Sequence, residues 1–285
     1  MEYNTRHNLG SSVVADDGRE LPLVTYEPAQ APVGVVLVVP AMATAASFYE
    51  PFCRWLAEQG FRAVTFDYRG MGGPAQMRAE TADVDRWFAD AALILDAVAD
   101  AADGLPITWV GHSLGGQMVP FVDHGRLAQV ITVAAGDGYW RRNAPRIKWV
   151  TPLLFAVVAP LAIRVAGYYP GSRLRMLADV PAGAMRQWGR WCRHPEYLQA
   201  DHPEAPGLFA SVKAPLMSLS FEDDELLSAE SIKHLHDWYV NADQVRQRYS
   251  PAQLDGRRVG HHGFFRKANV DLWEELVLPW VASAV

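Results

Sequence analysis

One serine in this chain is set among glycines, in Gly111-His112-Ser113-Leu114-Gly115, with Gly116 directly behind. The stretch before it, "PITWV", is apolar and extended, and the stretch from Leu114 onward can turn into a helix. A G-x-S-x-G turn between a buried strand and a helix projects the serine oxygen from the end of a sheet. It also brings the backbone N–H groups of the helix start to the reacting atom. Side chains at the glycine positions would collide with the flanking strand and helix. The competing reading is an ordinary glycine turn.

A serine hydroxyl is a poor nucleophile at neutral pH, so it needs a histidine to take its proton and an acid to orient that histidine. On such a turn the chain order is serine, acid, histidine. Both partners follow in that order, each just after a strand-like run. "PLMSLSF" leads into Glu222-Asp223-Asp224, and the last strand leads into "VGHHGFFR" with His261 and His262. The residues alone leave open which carboxylate and which imidazole is used. His112 sits beside the serine, with its side chain expected to point away from the hydroxyl. His7 and the other histidines read as surface or helix residues.

Placing three groups at three strand ends requires a sheet. "SSVVADDG" and "LPLVTYEP" read as two short strands joined by a turn, and "VGVVLVVP" as a strand buried on both faces. Residues 48–59 have helical spacing up to Gly60, and "FRAVTFDY" is a strand followed by the loop Gly70–Gly73. Residues 83–99 form an amphipathic helix, "PITWVG" and "AQVITVAAG" are strands, and 114–121 starts a helix that Pro120 limits. "APLMSLSF" and "DQVRQRYS" are the last strands. Helices are expected over 228–241, capped by Ser228 or Ser231, and over 270–281, broken by Pro279. This alternation predicts an α/β fold: a mostly parallel sheet with helices on both faces. It stops at Asp137 and resumes near 213, so residues 1–136 and 213–285 read as one core, and 137–212 as an inserted helical cap or lid. Inserts that long are usually functional or separately folded.

The chain has 285 residues, half of them hydrophobic and 20% charged, with a net charge of −6. No basic block marks a nucleic-acid footprint. Cys53 and Cys192 are far apart without metal-ligand spacing, which suggests a reducing compartment. The N-terminal stretch has no apolar signal region, and the expected location is cytoplasmic. The apolar run 149–163 contains Pro152 and Pro160 and is shorter than the roughly 20 residues a membrane span needs. It is expected to pack within protein or to touch a lipid surface, without stable membrane insertion. The glycines near Gly70 lack the Lys-Ser/Thr of a phosphate loop, and neither a metal site nor a cofactor is expected.

"VGHSLGG" at Val110, "FDYRGMG" at Phe66 and "GHHGFF" at Gly260 resemble the α/β-hydrolase superfamily. They most resemble bacterial predicted serine hydrolases of the Ser-aminopeptidase/lysophospholipase type. The resemblance covers nearly the whole chain, including a helical cap with "QWGRWCRHPEYL". It implies Asp224 as the acid, since relatives read G-x-x-D there and Phe221 takes the glycine place, with Asp223 and then Glu222 as alternatives. It implies His261 as the base, with His262 on a variable place. The oxyanion hole would be the N–H groups of Leu114 and Met42, although Pro40-Ala41-Met42 departs from the His-Gly of many relatives. Asp67 and Arg69 read as a structural pair.

Trp140, Trp188 and Trp191 are candidates to line an acyl pocket, plain core packing being the alternative. Arg141, Arg142, Arg146 and Lys148 could meet an anionic substrate or form a solvated basic face. The reading is a Ser-His-Asp hydrolase of small-molecule esters or thioesters. An acyltransferase, an amide-cleaving peptidase and a non-catalytic ligand binder are its rivals. The oligomeric state is not legible.

Overall fold

The computed structural model describes residues 9–285, so His7 lies outside the described residues. Eight strands form one sheet: β1 (Ser12–Val14), β2 (Glu20–Tyr26), β3 (Val35–Val39), β4 (Arg62–Phe66), β5 (Ile107–His112), β6 (Gln129–Val133), β7 (Leu216–Phe221) and β8 (Gln244–Tyr249). Their order is β1-β2-β4-β3-β5-β6-β7-β8. β1 and β2 pair antiparallel at one edge, and all the other pairings are parallel.

The alternation of side chains along β3 explains its unbroken run of valine and leucine. Val35, Leu37 and Val39 enter one core while Val36 and Val38 enter the other. Helices on both faces complete those cores: α1 (Glu50–Glu58), α3 (Val84–Ala101), α4 (Leu114–Gln117), α10 (Ala229–His236), α11 (Val270–Leu272) and α12 (Leu278–Ala282), while α2 (Pro74–Ala79) follows the loop after β4. Between β6 and β7 lie α5 (Val150–Leu153), α6 (Ala159–Ala166), α7 (Gly171–Leu174), α8 (Ala182–Arg193) and α9 (Ala205–Ser211). This segment is tied down by polar contacts. Gln187 Oε1 accepts the N–H groups of Val84 and Asp85 at 2.7 and 3.2 Å, at the start of α3.

Several expectations are corrected. The helix after Ser113 ends at Gln117, and Pro120 sits in a separate 3₁₀ turn, Val119–Phe121. The helix that Ser228 caps stops at His236 rather than 241. Pro279 does not break the closing helix. A π turn, Trp273–Val277, joins α11 to α12 ahead of it. The same device, Leu154–Val158, joins α5 to α6 ahead of Pro160. A proline ring clashes with the carbonyl four residues back, and one widened turn gives it room. Asp67 and Arg69 do not pair with each other. Arg69 grips Asp90 through two bonds of 2.6 Å, and Asp67 accepts the Ala46 N–H at 2.7 Å.

Candidate active site

In an open parallel sheet, ligands bind at the carboxyl ends of the strands, where the strand order reverses. Here the order reverses between β3 and β5, which pair with each other in the middle of the sheet. Met42 follows β3 and Ser113 follows β5. Asp224 follows β7 and His261 lies beyond β8, so all four leave the sheet at one end.

Ser113 has φ 51° and ψ −111°, a backbone conformation a non-glycine residue adopts only when its surroundings enforce it. Its N–H donates to Val133 O at 2.9 Å. The glycines explain the sharpness of the turn. A Cβ on Gly111 would lie 2.5 Å from Gly115 O, and one on Gly115 would lie 2.2 Å from Val39 O. The helix therefore packs directly on the backbone of two strands, and only glycine fits between.

His261 is buried, and its Nδ1 is 2.9 Å from Asp224 Oδ2. The other Asp224 oxygen accepts the N–H groups of Leu226 and Leu227 at 2.8 and 2.9 Å. Burial pushes the Asp224 carboxyl up, but the His261 ring and the two backbone donors outweigh it, and its pKa is lowered. Asp223 is not a free member of an acidic loop. Its oxygens accept the N–H groups of Val259 and Gly260 at 3.0 and 3.1 Å, while Glu225 Oε2 accepts that of His261 at 3.1 Å. Glu222 is exposed. His262 lies on a different surface hollow with Phe48 and Asp223, and burial lowers its pKa to about 4.

A cavity of about 290 Å³ opens over these strand ends. Its wall includes Ser113, His261, Met42 and Leu114 from the sheet side, and Leu154 and Trp188 from the segment between β6 and β7. Among the described residues, Ser113 Oγ has no hydrogen bond, and what serine and histidine share is one cavity wall. Serine–histidine bonds are often long before substrate binds. Of the three candidate tryptophans, only Trp188 lines the cavity. Trp140 packs on Trp149, and Trp191 is buried, its indole donating to Asp201 at 2.8 Å. Sequence reasoning missed Gln117 and Tyr197, which also line the cavity. Tyr197 OH donates to Gln117 Oε1 at 3.1 Å, and Gln117 Nε2 donates to Gly136 O at 2.8 Å.

His112, buried under the serine, faces away from the cavity as expected. Its Nε2 lies 2.9 Å from His261 O, and its Nδ1 lies 2.8 Å from Tyr49 OH. A carbonyl only accepts, so Nε2 carries the proton and Nδ1 accepts from the tyrosine. Tyr49 oxygen in turn accepts the Ala41 N–H at 2.8 Å. Burial holds the His112 pKa well below its usual value, so the ring is neutral. One ring nitrogen from each of His112, His261 and His262 lies within 4.8 Å of the other two. Both His112 nitrogens are already committed, which makes the trio a poor set of metal ligands.

The family model described as serine aminopeptidase, S33, matches residues 30–166. A monoglyceride lipase from Saccharomyces cerevisiae, a soluble variant holding a substrate analog, superposes with a TM-score of 0.69 at 14% identity, covering 100% of this chain and 99% of that one. The fold is that of the α/β hydrolases. An α/β-hydrolase resemblance drawn from three short motifs is thereby borne out. A carboxyl esterase from Bacillus coagulans in complex with glycerol gives a TM-score of 0.61 at 14% identity, covering 96% and 98% of the two chains. A monoacylglycerol lipase from Paleococcus ferrophilus gives 0.61 at 14% identity, covering 94% and 100%. No curated protein matches the sequence. No helix of the described residues is long and apolar enough to cross a membrane.

Proposed function

We propose that this chain is a serine hydrolase of carboxylic esters or thioesters with an apolar acyl part, with Ser113, His261 and Asp224 as its triad. The observation that carries the reading is the 2.9 Å bond between His261 and Asp224, with His261 and Ser113 on the wall of one cavity. Residues 1–136 and 213–285 are the core in this reading, and 137–212 is the cap, whose Leu154 and Trp188 supply the apolar wall.

Ser113 Oγ bonds to the substrate carbonyl carbon as its proton passes to His261 Nε2. The oxyanion is held by the N–H groups of Met42 and Leu114, which form no hydrogen bond within the described protein. The bond to the leaving alcohol or thiol then breaks, and that group takes the proton from His261. Water gives a proton to His261 and adds to the acyl carbon. The bond to Ser113 Oγ breaks, the proton returns to it, and the acid leaves. Asp224 stays ionised throughout and fixes the imidazole.

Among the described cavity-lining residues none carries a carboxylate. A free amino terminus would want one, which favours a neutral ester over a peptide. The test is hydrolysis of a p-nitrophenyl ester series of increasing acyl length, with Ser113→Ala as control. Activity that peaks at one length and is lost in the variant supports the reading, as does fluorophosphonate labelling of Ser113. Labelling together with transfer to an added alcohol, exceeding release of free acid, would make the protein an acyltransferase. Neither labelling nor turnover would leave a ligand-binding member of the fold.

A further inference from the structure

The helix that walls the cavity is apolar on both sides. From 150 to 166, α5, the π turn and α6 run without a break, about 25 Å long. Thr151, Phe155, Ala159 and Ile163, four residues apart, face inward and are buried. Trp149, Leu153, Val157, Leu161 and Val165, also four apart, are exposed by 73, 58, 44, 59 and 89%. Such a helix is ordinarily either fully buried or a membrane span. This one is neither, being too short to span and open to solvent along its outer edge.

Charge singles out one covering for that edge. Residues 141–178 contain no carboxylate in a chain whose net charge is −6. They do contain Arg142 and six further cations: Arg141, Arg146, Lys148, Arg164, Arg173 and Arg175. Of the seven, Arg142 alone pairs with a carboxylate among the described residues, Asp137 at 2.7 Å. The next carboxylate, Asp179, is taken up by the N–H and hydroxyl of Ser172. A second copy of the chain meeting this edge about a two-fold axis would bring the same cations against themselves. An apolar ridge with cations on the same segment fits an anionic lipid surface. The ridge enters the acyl boundary and the Arg and Lys heads meet the phosphates.

We propose that the outer edge of this helix docks the protein on anionic lipid surfaces. The docking rests on the ridge and its charge alone. Its use to the site rests on the hydrolase reading, because Val150, Thr151 and Leu154 of the same helix line the cavity. Docking would bring the wall of the acyl pocket against the bilayer from which an apolar substrate comes.

The test is co-sedimentation of the full chain with vesicles of phosphatidylcholine alone, and with about a third of phosphatidylglycerol, at low and high salt. Binding is expected on the anionic vesicles, weakening with salt. Leu153→Asp with Leu161→Asp should lower it by roughly a hundredfold, because two exposed side chains can no longer be buried in lipid. Arg146→Gln with Lys148→Gln should lower it by roughly 25-fold. Neither pair touches the described cavity, so turnover of a soluble short-chain ester should be unchanged and serves as the folding control. Were the wild type inactive on esters, circular dichroism would take over that control and the vesicle result would still stand. Equal binding by wild type and the leucine variant, or no preference for anionic vesicles, would overturn the proposal. A dimer in sedimentation velocity that the leucine variant dissociates would also overturn it and assign the edge to a second copy.

Discussion

His112 Nε2 donates to the backbone carbonyl of His261 at 2.9 Å, across 149 residues of sequence. The bond ties the loop of the proposed base to the residue preceding the proposed nucleophile. Through Nδ1 and Tyr49 OH the tie continues to the Ala41 N–H, next to the proposed oxyanion donor Met42. Three loops from three strand ends are thus referred to one buried imidazole.

Tyr49→Phe tests that tie. It keeps the ring packing but leaves the Ala41 N–H and His112 Nδ1 without partners. Each unpaired buried group costs roughly 1–3 kcal/mol. If the strain is relieved by movement of the 40–44 loop, kcat should fall by about ten- to a hundredfold with KM within about twofold. A variant with lowered thermal stability but unchanged kcat would make Tyr49 a core residue and nothing more.

Asp224 and Asp223 are adjacent carboxylates doing different work. Asp224→Asn should lower kcat by about four orders of magnitude, as loss of the orienting acid does in serine proteases. Asp223→Asn weakens the hold on the amides of Val259 and Gly260 but leaves the imidazole its partner, so a loss of about tenfold or less is expected. Steady-state kinetics on one chromogenic ester decides the order, and a reversed order would move the acid to Asp223.

Gly115→Ala should be worse than its single methyl suggests. The new Cβ would lie 2.2 Å from Val39 O, a backbone atom of the central strand that cannot step aside. Overpacking of ordinary side chains costs about 1–3 kcal/mol, and backbone against backbone belongs at or above the top of that range. Urea unfolding should show a lowered midpoint, with loss of fluorophosphonate labelling in whatever folds. A wild-type midpoint would mean that α4 does not rest on β3 as described.

All eight strands were legible, because β-branched runs such as "VVLVV" and "AQVITV" admit few other structures. The serine turn was legible too, since steric need for glycine at close backbone contacts leaves a short, local pattern. Helix 150–166 was not. Its apolar run contains Pro152 and Pro160, and nothing local announces the π turn that accommodates the second. The helix Pro74–Ala79 was also missed, being hidden behind a glycine loop. Trp140 and Trp191 were grouped with Trp188 by residue type, yet only Trp188 reaches the cavity wall. Tyr49, Gln117 and Tyr197 drew no notice because their roles depend on partners 63 to 80 residues away.

Buried histidines set the acid limit of stability. His236 donates from Nδ1 to Ile232 O and accepts from Thr132 at Nε2, both at 2.8 Å, and burial lowers its pKa to about 4. His262 is lowered to about 4 by burial and by neighbouring His261, and burial holds His112 well below its usual value. In the unfolded chain each titrates near 6.5. Between pH 6.5 and about 4 the unfolded chain therefore binds more protons than the folded one, and stability must fall as pH falls. The slope is about 1.4 kcal/mol per pH unit for each such histidine. His202 acts in the opposite window. Its bond to Asp85 raises its pKa, so its contribution is full below 6.5 and is lost as pH climbs through the raised value. Stability should therefore peak near neutrality, falling steeply on the acid side and shallowly on the alkaline side. Urea unfolding at pH 7.5, 6 and 5 would trace the acid limb, and His236→Gln should reduce its slope by about one proton's worth. An unchanged slope would mean that His236 is reached by protons in the folded state.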